Sequence, residues 1–300
     1  MKKEFFARGK LLLSGEYAVL NGALALSLPC KYGQSLKLYP HSKKEIHWKS
    51  FDEKQKIWFE AKFDLNLNVL EYSSLSLAEN LQFLLKTAFR LSGKKIDALK
   101  IESYLDFNRE WGLGSSSTLL SLISQWQQID AMEYFFLVAN GSGYDVAAAT
   151  CNYPILYQLK KSKANWQEVE IPFEAFESSF FIHLNKKQKS DLEVEKYKLK
   201  NSITKEQITG IDKLSLAVKK LKTDQELQHW IENHENLMAN ILGKKRIKEE
   251  YFPDFKGEIK SLGAWGGDFI LASGSELKSY FLSKNFKQII PFKEMIHFAK

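Results

Sequence analysis

Cysteine is scarce in this sequence, whose 300 residues include two, Cys30 and Cys151. Two cysteines can form one bridge at most, so a fold held together by a disulfide framework is excluded. Their separation also lacks the spacing of metal ligands. We therefore expect both cysteines to be small, buried, apolar residues.

Long hydrophobic runs are lacking as well. No apolar run approaches the ~20 residues that a membrane-spanning helix needs. The start of the chain, Met1-Lys2-Lys3-Glu4, resembles that of a signal peptide, but Arg8 and Lys10 interrupt the apolar stretch that a signal requires. We expect a cytoplasmic protein with no membrane partner.

Long regions of one charge sign are missing too, although the total is basic. The 43 Lys and Arg residues exceed the 36 Asp and Glu residues, for a net charge of +7, yet acidic residues lie among the basic ones, as in Lys43-Lys44-Glu45. Nucleic-acid binders usually cluster their positive charge on one face. The pattern therefore argues against a nucleic-acid partner, whereas phosphorylated small substrates suit the same sign of charge.

The hydrophobic residues, 44% of the chain, are enough for one large core or two smaller ones. Short apolar or alternating runs predict strands over 10–13, 23–28, 34–39, 46–48, 57–61, 99–107, 180–184 and 269–272. Apolar residues at helical spacing predict helices over 77–91, 118–128, 204–221, 224–242 and 276–281. Asp224 and Gly243 are the expected caps of the helix 224–242. The polar, Lys-rich segment 159–166 is the expected domain boundary.

The strongest local signal is Gly112-Leu113-Gly114-Ser115-Ser116-Ser117, directly before an apolar helix. Glycines let the backbone approach a ligand closely, and a helix N-terminus favours an anion. The serine hydroxyls suit phosphate oxygens or Mg²⁺. The segment is not a Walker A loop, because the Gly-Lys-Ser/Thr ending is missing. A Gly/Ser turn that only caps a helix remains the alternative.

Three further segments place a polar group among glycines or apolar residues, and they cover residues 9–20, 141–149 and 263–268. The first contains Lys10 within an apolar strand and Glu16 within a glycine turn, and a buried charge is costly without a partner. The second has Asp145 after two glycines and before small residues. The third is another glycine loop before a strand. A snorkelling lysine, a helix-capping aspartate and a structural turn are the respective alternatives.

Taken in this order, the four segments resemble the GHMP kinase superfamily, which includes galactokinase and the homoserine, mevalonate and phosphomevalonate kinases. Segment 9–20 resembles the opening motif of that family, segment 112–117 its phosphate-binding loop, and segment 263–268 its closing glycine loop. The resemblance spans nearly the whole chain.

Finer details resemble the phosphomevalonate kinase branch. These are Tyr17 after the glutamate of the first motif, the Gly-Tyr-Asp sequence at 143–145, and Gly267-Asp268 in the closing loop. The sequence departs from the family pattern at Trp265, where a small residue is usual. It also has Glu110-Trp111 before the phosphate loop, where proline is common nearby.

The resemblance implies an α+β, two-lobed GHMP kinase fold. Its ATP-binding N-terminal lobe, of the ribosomal-S5-domain-2-like type, would cover residues 1–162, and its ferredoxin-like C-terminal lobe would cover residues 163–300. It also implies ATP and Mg²⁺ as cofactors, a small-molecule substrate, and a monomer or homodimer. The expected reaction converts phosphomevalonate to diphosphomevalonate, with mevalonate kinase or another GHMP small-molecule kinase as alternatives. A non-catalytic sensor of the same fold is the alternative of another class.

By their positions in the family motifs, Lys10 and Asp145 would be catalytic, Lys10 pairing with Asp145 and stabilising charge at the transferred phosphoryl group. Ser116 and Glu133 would bind Mg²⁺. His234 is expected to be a packed helix histidine. The residues that would bind ATP are Gly112, Leu113, Gly114, Ser115, Ser116 and Ser117. The residues that would bind the acceptor substrate are Glu16, Tyr17, Ser142, Gly143, Tyr144, Lys187, Ser190, Gly266 and Gly267.

Overall fold

A computed structural model describes residues 3–185, 197, 203–263, 265 and 267–298. The chain forms two compact units, and each is composed of several segments. Unit 1 consists of Met1–Gly9, Tyr32–Arg109 and Leu113–Thr150, and unit 2 of Lys10–Lys31, Glu110–Gly112 and Cys151–Lys300. The domain bounds predicted from the sequence, 1–162 and 163–300, stay a prediction, and residue 162 lies in the turn of a β-hairpin.

Twelve strands and nine α-helices are found in the described part of the chain. The strands are β1 (Lys3–Ser14), β2 (Ala25–Pro40), β3 (Glu45–Phe51), β4 (Ile57–Asp64), β5 (Val69–Tyr72), β6 (Leu99–Leu105), β7 (Ile155–Lys160), β8 (Lys163–Glu168), β9 (Phe180–His183), β10 (Gly257–Ser261), β11 (Phe269–Gly274) and β12 (Ile289–Pro291). The helices are α1 (Leu75–Ser92), α2 (Ser115–Gln127), α3 (Ala131–Val138), α4 (Tyr144–Ala149), α5 (Lys205–Ala217), α6 (Asp224–Leu242), α7 (Ile247–Tyr251), α8 (Leu277–Ser283) and α9 (Phe292–Met295).

Unit 1 is a mixed sheet covered by helices. Its strand order is β5-β4-β3-β6-β2, in which β3 pairs with β6 in parallel and the other neighbours are antiparallel. Residues alternate between buried and half-buried along β3 and β4, as expected of strands with one face on a core. Helices α1 to α4 pack against one another. The predicted apolar face of α1, which includes Leu81, Leu84, Leu85 and Ala88, is buried.

Unit 2 contains a four-stranded antiparallel sheet in the order β10-β11-β9-β12. Helix α6 packs against β10 and β11, and α5 packs against α6. The first residues of β2 pair with β7, which forms an antiparallel hairpin with β8. An antiparallel sheet carrying helices is the type of lobe that the resemblance implies for this part of the chain.

Several predicted boundaries shift in the structure. The separately predicted strands 23–28 and 34–39 are parts of the single strand β2, and α2 begins three residues before the predicted start. The cap of α6 is Thr223 rather than Asp224, because the Thr223 hydroxyl accepts from the backbone of Glu226 in a capping box. Gly243, in the left-handed region, ends α6 as predicted.

Two other expectations concern burial. Cys30 is buried as predicted, whereas Cys151 is only half-buried. Among the described residues, no helix is long and apolar enough to cross a membrane.

Candidate active site

The start of α2 is the centre of the site in unit 1. Gly114 precedes the helix with φ of 87°, and among the described residues no side chain caps this end. Leu113 is fully buried, and the Ser117 hydroxyl donates to the Gly114 carbonyl at 2.8 Å. The first backbone N–H groups of a helix have no intrahelical acceptor, and the helix dipole adds partial positive charge there. This end of α2 is therefore suited to an anion.

A chain of buried hydrogen bonds holds α2 on the sheet. The Thr118 hydroxyl donates to Gln34 Oε1 at 2.6 Å, and Gln34 Nε2 lies 2.6 Å from the Ser103 hydroxyl. This anchor joins α2 to β2 and β6. Sequence reasoning missed Gln34, although a glutamine at an inward-facing position of an alternating strand is the signal that could have found it.

An aromatic pocket of about 150 Å³ adjoins the first turn of α2. Its lining includes Trp48, Trp58, Arg109, Ser115 and Ser116. The Arg109 guanidinium lies 3.5 Å from the centre of the Trp58 ring, within the range of a cation–π contact. Unit 1 thus combines flat apolar walls with an anion-binding helix end, which together suit a planar base joined to phosphates. The two tryptophans were not predicted as site residues.

The Gly-Tyr-Asp segment lies at the start of α4. Gly143 caps this helix with φ of 78°, and a Cβ atom there would lie 2.5 Å from Met132 Cε. The positive φ and the close packing against α3 therefore both favour glycine here. Asp145 is half-buried in the first turn, and its carboxylate accepts from the Val146 N–H at 3.1 Å. Since Gly143 occupies the cap, Asp145 is not the capping residue that the alternative reading requires.

The remaining predicted residues of unit 1 lie nearby in sequence. Ser142 is buried and Tyr144 is half-buried. Glu133 is exposed in the first turn of α3, where its backbone N–H bonds to Asp130. Among the described residues, no group of three or more His, Cys, Asp or Glu side chains could hold a metal ion.

In unit 2, three of the predicted segments meet at Gly112. Lys10 Nζ is 3.4 Å from the Gly112 carbonyl oxygen. Gly112 has φ of 64°, and a Cβ atom built there would overlap the carboxylate of Asp268. Asp268 was quoted in the closing loop but was not among the predicted site residues. The positive φ and this close approach both favour glycine at position 112.

Aromatic packing also holds the loop 110–112. Trp111 meets Phe269 edge to face with ring centres 5.7 Å apart, and His183 Nε2 lies 3.4 Å from the Glu110 carbonyl oxygen. These contacts attach the loop to β9 and β11, both strands of the small sheet.

Glu16 is only 1% exposed and forms an ion pair with Lys260, which is fully buried. Burial raises the pKa of Glu16 to about 7, although Lys260 opposes that rise. His234 is fully buried beside them, which confirms the prediction of a packed histidine. Lys260 was missed, and the signal for it is indirect, since a buried glutamate needs a cationic partner.

Tyr17 and Trp265 belong to one buried cluster with apolar residues of α5 and α6. The Tyr17 ring lies 5.2 Å from the ring of Tyr197, and Gly267 is buried. The predicted site residues Lys187, Ser190 and Gly266 lie outside the described residues. Lys10 and Asp145 belong to different units, so their pairing stays a prediction.

No protein-family model and no curated protein matches the chain. Among solved structures, the chain is similar to mevalonate kinase from Methanococcus jannaschii, with 18% identity, a TM-score of 0.68, and coverage of 95% of this chain and 94% of that one. Phosphomevalonate kinase from Streptococcus pneumoniae also gives 18% identity and a TM-score of 0.68, with coverage of 94% and 95%. Galactokinase from Lactococcus lactis gives 13% identity and a TM-score of 0.65, with coverage of 94% and 88%. The chain therefore has the fold of the GHMP kinases.

Proposed function

We propose that the protein is an ATP-dependent small-molecule kinase. The observation that carries the proposal is the start of α2, where an uncapped helix end adjoins a pocket lined by two tryptophans. The helix end would bind the nucleotide phosphates through the backbone of residues 112–117, and the pocket would take the base. The Streptococcus pneumoniae structure was determined with AMPPNP, which supports ATP as the phosphoryl donor.

Mg²⁺ is the second proposed cofactor, with Ser116 and Glu133 as its proposed protein ligands. Ser116 is exposed in the first turn of α2, Glu133 is exposed on α3, and these two helices pack together. Mg²⁺ prefers a few protein oxygens together with nucleotide phosphates, so a hydroxyl and one carboxylate suit it. Bound there, it would neutralise charge on the phosphates. Ser116 and Glu133 are the residues that would hold it.

Phosphoryl transfer requires positioning and charge stabilisation more than covalent chemistry. We assign Lys10, whose ammonium group adjoins the Gly112 carbonyl, to stabilising the transferred phosphoryl group. Asp145 would accept a proton from a hydroxyl acceptor, or orient an acceptor that is already ionised. An acceptor phosphate is anionic near neutral pH and needs a base less.

For the acceptor we propose phosphomevalonate. Three segments support it, namely Tyr17 in the first motif, the Gly-Tyr-Asp sequence at 143–145 and the closing Gly267-Asp268. The Streptococcus pneumoniae neighbour was solved with phosphomevalonate, and a net charge of +7 suits an anionic acceptor. Mevalonate is the second candidate, because a mevalonate kinase is an equally similar fold neighbour.

The test offers purified protein ATP and Mg²⁺ with phosphomevalonate, mevalonate, homoserine or galactose in separate reactions. ADP release is measured against a reaction without acceptor. We expect the highest kcat/KM with phosphomevalonate. A higher value with mevalonate would make mevalonate the acceptor. Turnover of homoserine or galactose alone would rule out both mevalonate and phosphomevalonate as the acceptor. ATP binding without transfer to any of the four would favour the sensor.

A further inference from the structure

Unit 2 encloses four ionisable side chains in one cluster. Glu16 is 1% exposed, and Lys260, Glu235 and His234 are fully buried. Lys260 donates to Glu16 Oε1 and lies 3.1 Å from Glu235 Oε1. We call these four residues the buried charge cluster. Glu16 belongs to the first motif, residues 9–20, and is predicted to bind the acceptor. The proposed function gives no role to the other three residues.

One edge of the cluster is incomplete. Glu235 Oε2 accepts from the Ser261 hydroxyl at 2.6 Å. Glu16 Oε2, in contrast, faces His234 Nε2 at 3.5 Å, and neither atom has a hydrogen-bond partner among the described residues. His234 Nδ1 and Glu235 Oε1 are also buried without such a partner. Buried polar atoms are almost always bonded, because an unpaired one loses its hydration without compensation.

Charge balance indicates what is missing there. With both carboxylates ionised and the imidazole neutral, the cluster holds one ammonium against two carboxylates and has a net charge of −1. An uncompensated buried charge is far more costly than a neutral set of hydrogen-bonded groups. One additional proton makes the cluster neutral. Placed between Glu16 and His234, that proton also joins the two atoms that face each other.

We propose that Glu16 and His234 share one proton in the folded protein, and that Lys260, Glu235 and His234 are positioning residues for the Glu16 turn. Burial raises the pKa of Glu16 and lowers the pKa of His234, with Lys260 adding to the latter effect. Glu16 therefore carries the shared proton and donates it towards His234 Nε2.

The Glu16 side chain holds a tight turn. Gly15 has φ of 87°, and a Cβ atom there would lie 2.6 Å from the Leu24 carbonyl oxygen. Tyr17 has φ of 55°, uncommon for a residue with a side chain. The backbone alone does not favour this shape, so the buried carboxyl stabilises it. Under the proposed function, the turn lines the acceptor site. Only the effect of the turn on the acceptor rests on the proposed function.

The groups that face Glu16 come from two elements. From β10 the group is Lys260, and from α6 they are His234 and Glu235. Helix α5 also packs near this turn, but its groups bond to the backbone and side chains around it. Asp212 accepts from the Leu24 N–H at 2.6 Å, and Ser215 contacts Ser14.

Single variants should separate the two proton sites through the pH dependence of stability. In Glu16→Gln, the unfolded chain gains a proton on His234 below its ordinary pKa of 6.5, whereas the folded protein does not. The unfolding equilibrium constant should then rise as pH falls below 6.5, by up to about tenfold per pH unit. In His234→Leu, the folded protein keeps the Glu16 proton up to about pH 7, but the unfolded chain releases it above 4.5. That variant should lose stability as pH rises between these values.

The wild type behaves differently because one proton is bound in both states between pH 4.5 and 6.5. Its urea-unfolding equilibrium should be nearly independent of pH there as far as these two groups contribute. His229→Leu is the matched control, since His229 is exposed on the same helix and should leave the pH profile unchanged. Parallel pH profiles in the wild type, Glu16→Gln and His234→Leu would overturn the proposal.

A second measurement decides the matter even if a variant does not fold. The ¹⁵N shifts of the His234 ring in wild-type protein report which nitrogen is protonated. At pH 6 we expect a neutral ring, with its proton on Nδ1 and with Nε2 accepting from Glu16. A charged ring would also agree with the proposal, because the shared proton would then lie on His234. A neutral ring protonated at Nε2 would mean that Glu16 is ionised with no additional proton, and would overturn the proposal.

Kinetics test the positioning role separately. Above pH 7 the cluster loses its proton and becomes negative, so the wild-type KM for an anionic acceptor should rise several-fold by pH 8. Glu16→Gln cannot ionise and should lack that rise, and the KM for ATP should stay constant in both. A rise of equal size in Glu16→Gln would overturn the positioning role. Absence of turnover with every acceptor would refute the proposed function and leave the ¹⁵N and unfolding tests valid.

Discussion

Gly112 joins segments that are far apart in the sequence. Its left-handed backbone and missing Cβ leave room for the Asp268 carboxylate, while its carbonyl oxygen lies 3.4 Å from the Lys10 ammonium group. Two features favour glycine over other residues here, namely the positive φ and the close approach of Asp268. At the scale of a residue, this is where the first motif, the phosphate loop and the closing loop meet.

Gly112→Ala should therefore be more damaging than an alanine at a glycine with the same φ. Gly93 is the matched control, because its φ is also 64° and no described atom would lie within 4 Å of its Cβ. Both variants bear the left-handed backbone cost of about 1 kcal/mol. Gly112→Ala also forces the Asp268 carboxylate to turn away and should lose about 1 kcal/mol more, as measured by urea unfolding. Equal losses would contradict the close approach.

Lys10→Met and Asp145→Asn should each lower kcat with little change in stability. Removing a group that stabilises charge in the transition state costs on the order of 10²-fold in rate. Lys37→Met serves as the control, since Lys37 is partly exposed, in an ion pair with Glu4 at 3.4 Å and a cation–π contact with Tyr104. Steady-state kinetics on the accepted substrate provides the measurement. Turnover near that of the wild type in both variants would favour the sensor.

At the scale of elements, α2 depends on a side-chain network for its position. Gln34 accepts a hydrogen bond from the Thr118 hydroxyl and donates one to the Ser103 hydroxyl, so one buried glutamine joins α2, β2 and β6. A helix end that binds phosphate must be held within a fraction of an ångström to be effective. The anchor therefore belongs to the proposed nucleotide site, and Gln34 also lines the aromatic pocket.

Gln34→Leu should weaken ATP binding and destabilise the fold by about 1–3 kcal/mol, because Ser103 and Thr118 lose a buried partner. Thr118→Val removes the other end of the same bond. A double-mutant cycle should give a coupling of about 0.5–3 kcal/mol between the two positions. Additive effects on unfolding and on nucleotide affinity would show that the hydrogen bond does not position α2.

Elements with strong local signals were predicted well. Helix α1 shows its apolar face in the sequence, and α6 ends at the predicted Gly243. Strand β2 was predicted as two strands, 23–28 and 34–39, and Gly33 lies between them. In the structure Gly33 is needed for space, since a Cβ atom there would overlap the Ala7 carbonyl oxygen. Local pattern cannot distinguish a glycine that breaks a strand from one that admits a neighbour.

The site was predicted less completely than the fold. The glycine and serine segments are contiguous and could be recognised, whereas the tryptophan pocket and the Gln34 anchor form only when distant strands pair. Lys260 lies 244 residues from Glu16, and its role as the partner of Glu16 is visible only once both side chains are known to be buried. Such partners depend on tertiary contacts that leave no local trace.

For the whole molecule, ATP with Mg²⁺ should raise the melting temperature. A ligand at a hundred times its Kd stabilises the folded state by about 2.7 kcal/mol, which corresponds to a shift of several degrees for a chain of this size. Gly114→Val, which places a branched side chain where φ is 87°, should abolish the shift. Duplex DNA is the control ligand, and a shift with DNA that vanishes in high salt would favour a nucleic-acid binder.

Because each unit is composed of separate segments of the chain, the protein should not tolerate expression as two independent halves. Unit 2 takes Lys10–Lys31 and Glu110–Gly112 from the first half of the chain. A fragment starting at Cys151 would lack Glu16, so Lys260, Glu235 and His234 would lose the fourth member of the buried charge cluster. Strand β7 would keep β8 but lose β2, the other strand that pairs with it. Neither half expressed alone should yield soluble protein, whereas the two halves produced in one cell should complement each other. A split at residue 150 would thus behave as a reporter of fragment association.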